Sequence, residues 1–141
     1  MYIDDPLLLL TIEDSNFVGN GGGTLCGAVF ASDGTVNVSS STFEGNEAST
    51  GGALCTWGGS LHVSQSTFYL NNTQGQGGAI NSSGESAILD STFSDNAASG
   101  LGGAIHSVGE LSIENSTFNA NRAQMDGGAI HQKNAAHEAP F

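Results

Sequence analysis

The sequence repeats one pair of short motifs five times, and this repetition restricts the fold more than any other feature. Each copy contains Phe-x-x-Asn, followed at a nearly constant distance by Gly-Gly-Ala and an aliphatic residue; in the first copy Cys26 replaces the first Gly. The Phe-x-x-Asn segments begin at Phe17, Phe43, Phe68, Phe93 and Phe118 and end at Asn20, Asn46, Asn71, Asn96 and Asn121. Successive Phe residues lie 26, 25, 25 and 25 positions apart. A fixed period of this size is typical of solenoids, whose units are stable only when they stack on one another.

The residues around each Phe predict short strands. Aliphatic residues recur seven and five positions before the Phe in most copies, and Ser stands two positions before it in all five. Because a spacing of two places side chains on one face of a strand, we predict the strands Leu-x-Ile/Val, Ser-x-Phe and a third that begins after Gly-Gly-Ala. Gly-containing turns separate the third strand from the first, and Gly is too frequent for helices.

These strands predict an all-β fold: a parallel β-helix solenoid of about five rungs of ~25 residues, with three short strands per rung. We assign residues 1–132 to this repeat segment and residues 133–141 to an irregular tail. Equivalent positions should then stack at the strand spacing of about 4.8 Å. We expect the five Phe residues to form an internal aromatic stack, and the five Asn residues to form an amide ladder at a turn.

The charge balance argues against several classes of partner. Two basic residues, Arg122 and Lys133, accompany fourteen acidic ones, which gives a formal net charge of -12. So few cations cannot neutralise several phosphates, and we expect no nucleic-acid partner. The longest apolar run, at residues 6–10, is too short to cross a bilayer, so we expect no membrane-spanning segment. Neither end resembles a solenoid cap, so we expect a stretch of a longer array whose uncapped rungs associate end to end.

Two stacked pairs are candidate metal ligands. His106 and His131 share a position two residues after the motif Ala, on a column that we expect to point outward. Two imidazoles are fewer ligands than a zinc site uses, so we interpret them as exposed polar residues of a strand. Glu85 and Glu110 follow a Gly turn and would repel each other unless a cation separated them, but a solvated pair is the favoured interpretation. We predict no metal and no cofactor.

A column of hydroxyl groups precedes the Phe residues and is our candidate contact face. It consists of Thr42, Thr67, Thr92 and Thr117. With Phe inward these side chains face outward, where they could order water against ice or contact sugars. An ice-binding face would need a second Thr column, and the positions two residues earlier do not supply one: Asp14, Ser40, Gln65, Asp90 and Asn115. Packing of Thr across strands explains the column without a ligand.

The two cysteines are predicted to be thiols. Cys26 and Cys55 are 29 positions apart, which is out of phase with the 25-residue period. On a straight strand this offset separates them by about 13 Å. That distance exceeds the reach of a disulfide, so pairing would require the bend at Gly27 to bring them together.

A catalytic site is not predicted. A polysaccharide lyase or hydrolase on a β-helix needs clustered carboxylates or a cation with an Arg or Lys base. Arg122 lies beside Asn121 in a predicted turn and Lys133 lies in the tail, while the carboxylates occupy different phases of the repeat.

The paired motifs Gly-Gly-Ala-Ile/Leu/Val and Phe-x-x-Asn resemble the repeats of chlamydial polymorphic outer-membrane proteins. The resemblance covers residues 10–132; Cys26 and a shorter gap in the second copy are the departures. It implies a right-handed, pectin-lyase-like parallel β-helix and, in the chlamydial proteins, an autotransporter passenger that acts in adhesion.

From the repeat and this resemblance we expect a non-catalytic extracellular or cell-surface segment, at the outer membrane if the source is bacterial. It would serve as a rigid stalk or an adhesive surface for host or cell-surface proteins or glycans. The alternatives are a non-catalytic part of a carbohydrate-active enzyme and an ice- or mineral-binding Thr column. Fold alone does not decide among them.

Overall fold

The computed structural model describes residues 1–5 and 7–134, so most of the predicted tail, residues 135–141, lies outside the described residues. Three parallel sheets wind into a β-solenoid of about five rungs, which confirms the predicted fold class. The right-handed winding stays a prediction from the resemblance. We number the rungs 1 to 5 by the Phe that each contains, from Phe17 to Phe118. In the described part of the chain there is no apolar helix of membrane-spanning length.

Each rung contributes to all three sheets. Sheet A contains Tyr2–Asp4, Leu9–Glu13, Val29–Ser32, Thr35–Ser39, Leu54–Ser64, Ile80–Leu89, Ile105–Val108, Leu111–Glu114 and Ile130–Lys133. Sheet B contains Asn16–Val18, Thr42–Glu44, Thr67–Tyr69, Thr92–Ser94 and Thr117–Asn119. Sheet C contains Gly21–Gly23, Glu47–Ala48, Asn72–Thr73, Ala97–Ala98 and Arg122–Ala123.

The strands group differently from the sequence-based expectation. The predicted first and third strands lie in the same sheet, and in rungs 3 and 4 they are continuous, as in Leu54–Ser64 and Ile80–Leu89. The third side of the coil is sheet C, whose strands in rungs 2 to 5 are two residues long and follow the Asn of each motif. The Ser residues lie in the corner before sheet B rather than within its strands.

The Phe side chains form one continuous stack inside the coil. The centroids of successive rings are 4.7 to 4.9 Å apart, and their planes differ by 4° or less. This distance matches the spacing of neighbouring strands, because each Phe pairs in register with the Phe of the next rung. Phe43, Phe68 and Phe93 are fully buried, whereas Phe17 and Phe118 of the end rungs are partly buried.

Residues in the left-handed region turn the chain at two corners. Between sheets A and B, φ is 46 to 49° at Asp14, Ser40, Gln65, Asp90 and Asn115. Between sheets B and C, φ is 53 to 62° at Gly19, Gly45, Leu70, Asp95 and Ala120. The first set is therefore a corner and not part of the outward face of sheet B. Gly, Asn and Asp recur here because they tolerate this conformation best.

The Asn side chains form a ladder at the corner between sheets B and C. The Nδ2 of Asn71 donates to Asn96 Oδ1 at 3.0 Å and to the carbonyl oxygen of Phe43 at 2.9 Å. The Oδ1 of Asn71 accepts from the side-chain and backbone nitrogens of Asn46, at 2.9 and 3.0 Å. Asn46 and Asn96 repeat this pattern with their own neighbours. Each buried amide thus has every donor and acceptor used, as a buried polar group requires.

The two Gly residues of the motif have separate roles, as rung 4 shows. Gly77 has φ of 70°, and a Cβ atom there would collide with the carbonyl oxygen of Ile80. Gly78 does not have a positive φ, but a Cβ atom there would collide with the carbonyl oxygen of Gly103 in the next rung. The motif therefore supplies one left-handed residue and one close approach between rungs.

Replacing a ladder amide should destabilise the solenoid strongly. Asn71→Ala leaves donors of Asn46 and the carbonyl oxygen of Phe43 buried without partners. We expect the free energy of unfolding to fall by about 3 kcal/mol or more, since each unsatisfied group costs roughly 1–3 kcal/mol. Asn72→Ala is the matched control, because Asn72 is the exposed next residue. Urea denaturation followed by circular dichroism measures both, and equal effects would contradict the ladder.

Candidate functional site

The outward face of sheet B carries the Thr column. Thr42, Thr67, Thr92 and Thr117 lie in register on successive strands, opposite the buried Phe residues. Thr42 and Thr67 are half-buried, and Thr92 and Thr117 are exposed. Their hydroxyl groups form no hydrogen bond with another described residue, so these oxygens are open to water or a ligand.

A second outward column lies two residues after the Thr column on the same strands. It reads Val18, Glu44, Tyr69, Ser94 and Asn119. The positions two residues before the Thr residues, where a second outward column was expected, instead turn the corner between sheets A and B. Sheet B therefore shows one regular hydroxyl column beside a chemically mixed one, with Tyr69 36% exposed at its centre. This mixture does not supply the second Thr column that ice binding would need.

The outer face of sheet C has two shallow depressions that meet at rung 3. One, of about 370 Å³, is lined by residues that include Glu47, Ser49 and Gln74. The other, of about 340 Å³, is lined by residues that include Arg122 and Gln124. This face could not be predicted from the sequence, because a strand of two residues has too few positions to show alternation.

The His column is buried, so the expectation of exposed residues is wrong. His106 is 5% exposed, and His131 is half-buried; their rings stack with centroids 5.3 Å apart. The column continues through Asn81, whose Oδ1 lies 3.1 Å from His106 Nδ1. It points away from the Phe stack, but the first Gly of the motif lies against it: a Cβ atom on Gly127 would collide with His131.

Burial lowers the pKa of His106 below its ordinary value of 6.5. The nearby positive charges of His131 and Lys133 act in the same direction. No group of three or more His, Cys, Asp or Glu residues that could hold a metal occurs within the described residues. The stacked imidazoles therefore form a pair in which His106 is buried and has a lowered pKa, while His131 is half-buried.

The acidic pair lies on the surface. Glu85 and Glu110 are both exposed and line a depression of about 320 Å³ together with Gln132 and Asn134. The backbone nitrogen of Ser86 donates to the carbonyl oxygen of Glu110 at 2.8 Å, which fixes the two rungs beside each other.

The cysteines form a disulfide, so the prediction of two thiols is wrong. Cys26 pairs with Cys55, with their Cα atoms 6.0 Å apart. The predicted separation assumed a straight strand between the motif Gly and the Cys55 position. Instead the chain folds sharply at Gly51, so that a Cβ atom on Gly51 would collide with the sulfur of Cys55 and contact that of Cys26.

The charged residues do not assemble a catalytic constellation in the described part of the chain. Arg122 lies in sheet C and Lys133 in sheet A, and the buried polar residues include no carboxylate. Glu44 and Glu47 lie on different sheets.

The stacked, in-register rungs define a repeat protein of the β-solenoid class. Three of its segments, residues 40–56, 90–108 and 115–133, match the Chlamydia polymorphic membrane protein repeat. These matches and the parallel β-solenoid fit the repeat family that the paired motifs predicted. Repeats of this family suggest an outer-membrane or surface location and are in general non-enzymatic. No curated protein and no solved structure is significantly similar to the chain.

The buried imidazole predicts a pH dependence of stability. Unfolded His106 takes up a proton near pH 6.5, whereas the folded protein resists protonation, so the unfolded state binds more protons below this pH. The free energy of unfolding should therefore fall as the pH decreases below about 6.5. His106→Asn, which repeats the Asn81 of the preceding rung, should reduce this loss between pH 7 and pH 5. The exposed His62 provides the control His62→Asn, which should keep the wild-type dependence; an unchanged dependence in His106→Asn would refute the assignment.

The disulfide predicts resistance to alkylation and a loss of stability on reduction. The native protein should not react with iodoacetamide until it is reduced. The double variant Cys26→Gly, Cys55→Asn recreates the residues found at the equivalent places in rung 4, Gly77 and Asn81. It should fold but lose about 3 kcal/mol, because the bridge closes a loop with a sequence separation of 29. Rapid labelling of two thiols in the native protein would contradict the pairing.

Proposed function

We propose that this chain is a rigid, non-catalytic cell-surface segment whose outward columns contact proteins or glycans. One observation carries the proposal: three structural columns are identical in all rungs, while an outward column of sheet B differs in every rung. The Phe, Asn and corner Ser residues are the same in all five copies. The outward column beside them reads Val18, Glu44, Tyr69, Ser94 and Asn119. A fixed interior with a varied exterior is what a presentation scaffold requires.

The hydrogen-bond ladders support the rigid part of the proposal. At the corner between sheets A and B, the corner Ser residues form a second ladder. The backbone nitrogen of each one donates to the Oγ of the corner Ser in the next rung at 3.1 to 3.2 Å; the donors are Ser15, Ser41, Ser66 and Ser91. The Asn ladder joins the same rungs at the opposite corner of sheet B. Two ladders of side chains and three of backbone resist bending between rungs, so the faces keep a fixed geometry.

The disulfide supports an extracellular location. Disulfides persist in oxidising compartments and are rare in the reducing cytosol. The bridge between Cys26 and Cys55 lies against Gly51 and joins the neighbouring rungs 2 and 3 at the covered column of sheet A. The disulfide and the repeat family both support a location at the cell surface.

Adhesion by immobilised protein tests this proposal. Beads coated with the chain should bind cultured cells, and protein and glycan arrays should identify the class of ligand. The outward double variant Thr67→Ala, Tyr69→Ala should reduce binding if sheet B contributes, with circular dichroism and thermal stability unchanged. The control His62→Ala alters an exposed residue of sheet A. Folded protein that binds neither cells nor any array would contradict the adhesive function.

A further inference from the structure

The outer face of sheet C carries two shallow depressions, together called the sheet C groove, which are lined by small and polar residues. Its two depressions, of about 370 and 340 Å³, adjoin along the solenoid and together cover all five rungs. Both volumes fall within the range of small-molecule sites. The floor is shallow because small residues, Ala97 among them, occupy the outward positions of rung 4.

The walls of the groove carry groups that recognise sugar hydroxyls. The side-chain amides of Asn72, Gln74 and Gln124 can both donate and accept, and Ser49 and Ser99 add hydroxyls. Within residues 1–5 and 7–134 none of the three amides is hydrogen-bonded to the protein. Repeated amides with unused donors and acceptors are suited to a chain of vicinal hydroxyl groups.

Charge selects among saccharides. Arg122 is the only arginine of the chain, is exposed in the groove and pairs with no carboxylate in the described residues. Its planar guanidinium can hold a carboxylate through two parallel hydrogen bonds. Glu47 occupies the same outward column three rungs away, at a separation of about 14 Å. With this carboxylate at the other end and a net charge of -12, a polyanion would be repelled.

We propose that the sheet C groove binds an oligosaccharide with a single carboxylate group, which Arg122 holds while neutral sugar units extend toward Glu47. The proposal rests on the surface function proposed above and names a ligand class for it. The side-chain amides of Asn72, Gln74 and Gln124 bind the hydroxyl groups of the sugar units that lie between Arg122 and Glu47.

Calorimetric titration of the full chain with three probes tests the groove. The probes are sialyl-lactose, lactose and heparin, which carry one carboxylate, no charge and many charges. Sialyl-lactose should bind. Lactose should bind about ten- to hundredfold more weakly, because it lacks the sialic acid unit whose carboxylate Arg122 would hold, and heparin should not compete. Equal binding of lactose, stronger binding of heparin or no binding of sialyl-lactose would overturn the proposal.

Variants locate the carboxylate. Arg122→Gln should weaken the affinity for sialyl-lactose about ten- to hundredfold and leave the affinity for lactose unchanged. Arg122→Lys should have an intermediate affinity, because it keeps the positive charge but loses the two parallel N–H donors of the guanidinium. Thr92→Ala on sheet B is the control and should bind normally. Arg122 is exposed, so circular dichroism should show all three variants folded. Unchanged affinity in Arg122→Gln would overturn the assignment.

Cell adhesion measured in parallel separates this proposal from the preceding one. Adhesion without sialyl-lactose binding overturns the groove alone. Sialyl-lactose binding without cell adhesion supports the groove and restricts the proposed surface function to glycan contact.

Discussion

The stacking of equivalent side chains in register is the constraint on which the structure depends. An Asn side chain satisfies its hydrogen-bonding groups only if an Asn lies directly above and below it, and a Phe ring packs at strand spacing only under the same condition. Asn71 shows this most fully, because it bonds to Asn46, Asn96 and Phe43 at once. Any shift of one rung against the next would break these contacts together.

Variations in repeat length are absorbed where they leave the columns undisturbed. The first period contains 26 residues, and its extra residue is Gly22, which sits at the shift in register between Gly21 and Gly23 with φ of 87°. A second shift in register lies between Ser83 and Glu85 of rung 4. There the single residue Gly84 stands opposite two residues of rung 3, Gly58 and Gly59. Left-handed Gly residues take up each insertion, so the Phe and Asn columns remain aligned on both sides.

The sequence predicts the periodic parts of this molecule and not the parts that depend on its corners. The parallel β-helix follows from a five-fold repeat of residues at strand spacing. Sheet C did not follow, since two residues such as Ala97 and Ala98 show no alternation. The disulfide between Cys26 and Cys55 and the burial of His106 both depend on the sharp fold at the first residue of the Gly-Gly-Ala motif. That fold covers the column that contains His106, which a straight strand would have exposed. The spacing of residues in the sequence does not predict such a fold.

The central claim is that equivalent residues of successive rungs lie directly over one another, and engineered cysteine pairs test it most directly. In the Cys26→Gly, Cys55→Asn background, Thr67→Cys with Thr92→Cys joins register partners about 4.8 Å apart, within disulfide reach. Thr67→Cys with Ser94→Cys places the thiols two residues out of register, about 8 Å apart by strand geometry and beyond that reach. Mild oxidation should cross-link the first pair rapidly and the second pair poorly. Equal yields, or a preference for the second pair, would contradict the stacked register.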